Sequence, residues 1–258
     1  MDREIHPYVA VDHVRKIYHA GRTQVEAVSS VTFSVDPGDF VAILGPSGCG
    51  KSTLLMMVGG LEPVTEGEIR IGGSLVSGPR LDTGIMFQDS TLLPWKTVLD
   101  NVLFPIRIQG KSMAEFRRRA LELLEMVRMA DFAGKKPAQL SGGMRQRAAI
   151  CRALIYDPHL LLMDEPFSAL DAMTRDELNE VLLDMWQHYH KTGLFVTHSI
   201  REAVFLSDRV LVMAPRPSTI IADVRVPFGR PRDASVQEQR EFTELCALLR
   251  AKIGSRHE

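Results

Sequence analysis

Eight consecutive residues constrain this chain more than any others: Gly45-Pro46-Ser47-Gly48-Cys49-Gly50-Lys51-Ser52 fit G-x-x-x-x-G-K-[ST]. Phe40-Val41-Ala42-Ile43-Leu44 ahead of them reads as a short buried strand. Thr53-Leu54-Leu55-Met56-Met57-Val58 behind them reads as the opening of a helix. A strand–loop–helix unit of this composition grips phosphate for simple reasons. Glycines let successive backbone N–H groups turn inward around an anion. The following helix aims its positive end at the same charge. Lys51 then reaches the β- and γ-phosphates, and the Ser52 hydroxyl ligates Mg²⁺. The competing reading is an ordinary glycine-rich turn, and the register and both flanks argue against it.

Length and charge bound the rest. A chain of 258 residues forms one large domain, or a domain with a subdomain. It can bury roughly 70–75% of its unfolded surface, enough for a sizeable core. Lys+Arg number 31 against Asp+Glu 32, so no basic excess argues for a nucleic-acid surface. The three cysteines, Cys49, Cys151 and Cys246, are odd in number and far apart, which fits neither a disulfide framework nor a metal cluster. That usage agrees with a reducing cytoplasm. Met1-Asp2-Arg3-Glu4-Ile5-His6-Pro7 lacks the basic-then-apolar run of a signal peptide. No stretch approaches the ~20 apolar residues of a membrane-spanning helix. Any work at a membrane is expected to go through a partner.

The order of elements reads as α/β. Tyr8 to Val14 alternates as a half-buried strand, and Thr23 to Val35 contains two similar runs before the turn Asp36-Pro37-Gly38-Asp39. Together they predict an antiparallel edge. Glu66–Gly73 predicts a hairpin strand, and Asp82–Phe87 another that leads into Gln88. Between about 90 and 156 strand signals vanish. Phe116, Ala120, Leu123, Leu124 and Val127 recur at helical spacing, and Arg147–Ile155 predicts a second helix. The region reads as a helical insertion. His159–Met163, Gly193–Thr197 and Arg209–Met213 are continuous apolar runs of the kind found in strands covered on both faces. Arg175–Tyr189 is expected to be helical, Thr219–Val226 to form an edge hairpin, and Ser235–Ile253 a single amphipathic helix. The expected layout is one domain over 1–258. Its core covers about 1–88 and 157–230, a helical subdomain about 89–156, and a C-terminal helix about 235–253.

Two further clusters carry chemistry. Asp164-Glu165 follows a buried strand at its carboxyl end, where such folds place ligands. Asp164 suits Mg²⁺ coordination, usually through water, and Glu165 could polarise an attacking water. A solvated acidic turn is the alternative, weakened by the phosphate loop upstream. Leu140-Ser141-Gly142-Gly143-Met144-Arg145-Gln146-Arg147 opens a helix with a hydroxyl and backbone amides facing outward, again suited to an anion. Simple capping by Ser141 is the ordinary alternative. One nucleotide has one triphosphate, which Lys51 already holds. A second phosphate-gripping loop therefore points to two subunits acting on the same nucleotide.

At this point the chain resembles the nucleotide-binding subunit of an ATP-binding cassette (ABC) transporter. Leu140–Met144 resembles the family's LSGGQ signature, with Met144 in place of Gln. Ser168-Ala169-Leu170-Asp171 resembles the D-loop, His198 the switch histidine, Gln88 the Q-loop glutamine, and Tyr18 the aromatic that stacks on adenine. The resemblance covers roughly residues 8–230, with five motifs in the family's order. It implies a nucleotide-triphosphatase core, a mostly parallel sheet with helices on both faces, carrying the antiparallel edge and the helical insertion.

The resemblance also implies roles. ATP is bound by Tyr18, Gly45, Pro46, Ser47, Gly48, Cys49, Gly50, Lys51, Ser52 and Thr53. Ser141, Gly142, Gly143 and Asp171 of a second copy cover it. Ser52, Gln88 and Asp164 serve Mg²⁺, and Glu165, His198 and Gln88 are the catalytic set. Each residue alone has a plain reading: a surface histidine, a solvated glutamine, a half-buried tyrosine. Order and strand-end placement favour the catalytic reading for Gln88 and His198. Cys49 serves as a small loop residue.

The implied partners are a second copy in a head-to-tail ATP sandwich, integral membrane permease subunits, an extracytoplasmic solute-binding protein, and no nucleic acid. The implied location is cytoplasmic, on the inner face of the cell membrane through the permease. The apolar loop Ser90-Thr91-Leu92-Leu93-Pro94-Trp95 is expected to dock into a partner groove, since Trp and Leu are costly to leave wet. Gln88–Trp95 and Asp208–Pro217 are similar to the branch that handles nitrate, sulfonates and taurine, which predicts import of small anions. Three alternatives stay open: an exporter or lipid-trafficking ATPase, a soluble ABC protein acting on ribosomes or DNA, and a metabolic kinase. One phosphate loop, no heptad run and no basic tail argue against the second. Leu140–Gly143 and Ser168–Asp171 argue against the third. With no long C-terminal extension, a separate regulatory domain is not expected.

Overall fold

The computed structural model describes residues 7–21 and 23–254. The stretch 1–6, read above against a targeting signal, lies outside the described residues. The chain forms two compact units, Met1–Arg80 with His190–Glu258, and Leu81–Tyr189.

The first unit holds two sheets. One is antiparallel, built from β1 (Val9–Ala20), β2 (Thr23–Val35), β4 (Glu66–Ile71) and β5 (Ser74–Leu75) in the order β2-β1-β4-β5. The antiparallel strands thus form a sheet of their own. The two runs expected within 23–35 are one strand. Ser30 sits at φ 46 and shifts the phase of the alternation, so that Ala27 and Val28 before it and Val31, Phe33 and Val35 after it are all buried. His13 at φ 47 does the same in β1, keeping both Val11 and Val14 inside. The two irregularities face each other, with the His13 N–H donating to Thr32 Oγ1 at 2.9 Å.

The other sheet of this unit centres on β3 (Phe40–Leu44), all five residues buried. β3 pairs in parallel with β8 (Thr192–Thr197) on one side and β9 (Arg209–Met213) on the other, and β10 (Ile220–Arg225) closes onto β9 antiparallel. Burial on both faces is why these strands read as unbroken apolar runs. The helix α1 (Lys51–Val58) follows the phosphate loop and ends at Gly59-Gly60. α7 (Ile200–Leu206) follows β8.

The C-terminal helix departs from expectation. Residues Ala234–Glu238 form a short 3-10 turn capped by Asp233, and Gln239 is extended. α8 (Arg240–Gly254) then begins afresh. Nothing in 234–238 is buried, whereas α8 docks through Phe242, Cys246 and Leu249. The earlier turn buries no side chain that would hold it in the register of α8.

The second unit pairs β6 (Thr83–Met86) in parallel with β7 (Leu160–Asp164). Around them lie α2 (Val98–Val102), α3 (Phe104–Ile108), α4 (Met113–Met126), α5 (Gly142–Leu154) and α6 (Ala172–Tyr189). α5 starts at Gly142, ahead of its small apolar face, because Ser141 caps it. α6 starts at Ala172, three residues ahead of the expected 175, because the Asp171 carboxylate accepts from the Thr174 N–H at 3.0 Å. Among the described residues no helix is long and apolar enough to cross a membrane.

Candidate active site

In the first unit, the chain leaves β3 into a loop that closes on itself. Lys51 is only 3% exposed, and its Nζ donates to the Gly45 and Pro46 carbonyls at 2.9 and 3.0 Å. Gly50 adopts φ 102, and a Cβ there would stand 2.6 Å from the Ala27 carbonyl oxygen, so both the turn and the close approach require glycine. As N-cap of α1, Gly50 has no side chain to cover the first-turn amides, which leaves them for an anion. Ser52 is exposed on that first turn. Cys49 is buried beneath Gly45, and burial pushes its thiol pKa up despite nearby Lys51, so it is a packing residue.

His198 stands exposed just past β8, between well-held neighbours. The buried Thr197 hydroxyl donates to Glu202 Oε2 at 2.6 Å and accepts from the Ser199 N–H at 2.9 Å. Ser199 caps α7 by accepting from the Glu202 N–H. Ser-Ile-Arg-Glu over 199–202 has the spacing of a capping box, legible in sequence, but Glu202 bonds Thr197 instead and so holds the strand end. Tyr18 on β1 is 39% exposed, with the Lys16 ammonium 4.9 Å from its ring centroid. Lys16 is itself tied to Glu62 and the Pro63 carbonyl.

In the second unit, Asp164 is the last residue of β7 and is buried. Glu165 follows at φ 42, an uncommon backbone for a residue with a Cβ, and strain of this kind clusters at functional positions. The Ser168 N–H and hydroxyl both donate to its carbonyl, at 3.2 and 2.9 Å. Ser141 accepts from the Met144 N–H at 3.3 Å, so its own O–H remains a donor. A Cβ on Gly143 would meet Thr174 Cγ2 at 2.5 Å, which fixes glycine against α6.

Asp171 engages the Thr174 N–H and hydroxyl at the start of α6, and these bonds hold its carboxyl below the usual carboxylate range. Gln88 is exposed just beyond β6, and its carbonyl accepts from Gln146 Nε2 at 2.8 Å. Gln146 had no role in the sequence reading. The available signal is a polar residue in register with the buried Ala149 and Ile150 on α5. Its Oε1 is buried without a hydrogen-bond partner among the described residues, a cost on the order of 1–3 kcal/mol.

Mg²⁺ fits the donors that the sequence singles out. Ser52 offers a hydroxyl, Gln88 an amide oxygen and Asp164 a carboxylate, all hard oxygen ligands. Among the described residues no group of three His, Cys, Asp or Glu gathers as a dedicated metal cage.

Strand, glycine loop and buried lysine have the make-up of a nucleoside-triphosphate-binding protein. The ABC transporter model matches residues 28–168. The chain is 45% identical to the taurine import ATP-binding protein of Rhizobium johnstonii over 252 residues, covering 95% of this chain and 96% of that one. It is 40% identical to the bicarbonate transport ATP-binding protein of a Synechocystis strain, covering 90% and 83%. A solved dimeric ATP-binding cassette in a post-hydrolysis state with ADP and Pi superposes with TM-score 0.75 at 34% identity, covering 86% of this chain and all of that one. The chain belongs to the ABC transporter family.

Proposed function

We propose that this chain is the ATP-binding and ATP-hydrolysing subunit of a membrane importer for small solutes, which it powers as a dimer docked on permease subunits. The phosphate loop carries the reading: Lys51 is buried inside it at the head of α1, and the chain resembles import ATPases over nearly all its length. In this reading Lys51 exchanges the Gly45 and Pro46 carbonyls for β- and γ-phosphate oxygens as Gly45–Thr53 wraps the triphosphate. Tyr18 stacks on the adenine. Ser52, Gln88 and Asp164 hold Mg²⁺, which when bound neutralises charge on the transferring phosphoryl group. Glu165 orients and polarises the attacking water, and His198 and Gln88 read the γ-phosphate. Ser141, Gly142 and Gly143 of the second copy close over it, with the Ser141 O–H as donor and Asp171 nearby. Closure then depends on ATP, and hydrolysis releases it.

The domain plan follows the same reading: a core of about 1–88 and 157–230, a helical subdomain of about 89–156 and a C-terminal helical segment within 235–253. Docking falls to the loop with Trp95, which is 69% exposed. The chain therefore sits on the inner face of the cell membrane through the permease, with an extracytoplasmic binding protein delivering solute. Relatives named for taurine and bicarbonate share the engine at similar identity, so the solute is a small anion whose identity is set by the other chains. The test is direct. Glu165→Gln is expected to bind Mg-ATP as the wild type does and to lose about 10²–10⁴-fold in turnover; normal hydrolysis by that variant removes Glu165 from its role. Affinity capture from solubilised membranes is expected to bring a multi-spanning permease and a solute-binding protein. Ribosomal or DNA-repair proteins in their place would end the importer reading.

A further inference from the structure

The turn between β9 and β10 lies against both ends of the phosphate loop. At the loop's first glycine, a Cβ on Gly45 would stand 3.0 Å from the Met213 carbonyl oxygen and 3.3 Å from Met213 Cβ. At its last, a Cβ on Gly50 would stand 3.3 Å from Ser218 Oγ. The turn is itself pinned. The Ala214 N–H donates to the Thr219 carbonyl at 2.9 Å, and the Ser29 N–H of β2 donates to the Ser218 carbonyl at 2.9 Å. Met213, Ala214 and Ser218 are buried, and between them Pro215-Arg216-Pro217 leaves Arg216 exposed. Two prolines lock φ on either side of Arg216 and stiffen the tip. An arginine at the tip of a turn is ordinarily just solvated. This one has its charge at the phosphate loop: Lys51 and Arg216 are the two cations that oppose the upward push of burial on the Cys49 thiol. The Arg216 guanidinium makes no hydrogen bond or ion pair among the described residues.

We propose that Arg216 is a nucleotide-binding residue, a second cation that the β9–β10 turn holds beside the phosphate loop to engage the polyphosphate of the bound nucleotide. The assignment deepens the ATP-binding reading and rests on it for the identity of the ligand. Charge supplies the reason. A triphosphate brings more negative charge than Lys51 and one divalent ion neutralise, and the loop's backbone amides add only partial charges. A guanidinium suits the remainder, because its planar fork meets phosphate oxygens two at a time where an ammonium acts as a point charge. A donor on a pinned, proline-flanked turn also loses little backbone freedom when a ligand arrives. Both ends of the turn press on the glycines of the loop, so the tip keeps its place relative to the amides that face the anion. No local motif marks Arg216, since it reaches the loop from the far end of the same unit.

The test uses the full chain and needs no permease. Arg216→Met removes the charge from an exposed side chain, so the thermal midpoint without nucleotide is expected to move by no more than about 1 °C. Competition against a fluorescent ADP then gives affinities. The Kd of Mg-ATP and of Mg-ADP is expected to rise about fivefold in Arg216→Met, with Arg216→Lys between. Adenosine, which has no phosphate, is expected to bind the two chains within about twofold of each other. Added salt is expected to weaken Mg-ATP binding more in the wild type than in Arg216→Met, because one exposed charge has gone. An unchanged Kd for Mg-ATP overturns the assignment. So does an equal loss for adenosine, or an unchanged salt response, since either would mean that the turn acts through packing alone. If Arg216→Met does not fold, Arg216→Gln and Arg216→Lys carry the same comparison. A wild-type chain that binds no Mg-ATP would end the nucleotide reading and Arg216's role together, whereas wild-type binding that Arg216→Met leaves intact ends the role of Arg216 alone.

Discussion

Two loops leave the carboxyl ends of buried strands in this protein, and they are held in opposite ways. The loop after β3 is closed by its own parts. Lys51 donates back to Gly45 and Pro46, the Cys49 N–H bonds the Pro46 carbonyl at 3.3 Å, and Cys49 packs under Gly45. All of these groups lie within six residues of one another. The loop after β6 is held from outside. Gln146 and Arg152 reach it across 58 to 62 residues of sequence, and Asn101 braces its far end. A loop closed by its own residues can be written locally, whereas a loop held by another element is built on that element.

The comparison can be broken at several points. The largest effect is expected from Lys51→Ala, which removes the cation around which the first loop closes. Hydrolysis should fall by about 10³-fold or more, read as kcat/KM, while the thermal midpoint moves little because the loop backbone persists. The second loop should behave in the reverse sense. Asn101→Ala removes the amide that ties the half-buried backbone of Leu93, Lys96 and Thr97 together, at about 2–4 kcal/mol in urea unfolding, and isolated-subunit hydrolysis should survive. Large loss of catalysis from Asn101→Ala, or of stability from Lys51→Ala, would undo the contrast.

Gly50→Ala tests how tightly the first loop is drawn. With φ 102 and the Ala27 carbonyl oxygen 2.6 Å from the new Cβ, we expect about 1–3 kcal/mol of destabilisation and weakened ATP binding by calorimetry. The smallest effect concerns the second unit's strand pair. The Tyr156 hydroxyl donates to the Thr83 carbonyl at 3.0 Å, and burial pushes its pKa up to about 12. Because the folded pKa lies above the ordinary value of 10, stability is intact below pH 10 and is lost as pH rises toward 12. Tyr156→Phe should flatten that alkaline fall; an unchanged pH profile would mean that Tyr156 ionises as easily in the folded protein as in the unfolded one.

How much was legible in sequence follows the same divide. The phosphate loop was readable because eight adjacent residues carry the motif and each flank is a run of one texture. Arg209–Met213 matched residue for residue, since a strand buried on both faces reads as an unbroken apolar run. Thr23–Val35 read as two runs because the phase change at Ser30 is a bulge, which appears in sequence only as a break in alternation. Ser235–Ile253 read as one helix because its pattern is amphipathic throughout, although only Phe242, Cys246 and Leu249 find a surface to bury against.

By itself the sequence determined a β3–loop–α1 unit whose make-up suits a nucleotide triphosphate. Backbone N–H groups, a helix end and a lysine six residues past the loop's first glycine need nothing distant to make that fit. It also determined the α/β class, since contiguous apolar runs and helical periodicity are local properties. Only the tertiary structure decided that Glu165 sits on a strained backbone and that Gln146 and Arg152 of α5 hold the loop after β6. These rest on hydrogen bonds, packing and backbone angles that exist only once the chain is folded, and some of their partners lie some sixty residues apart.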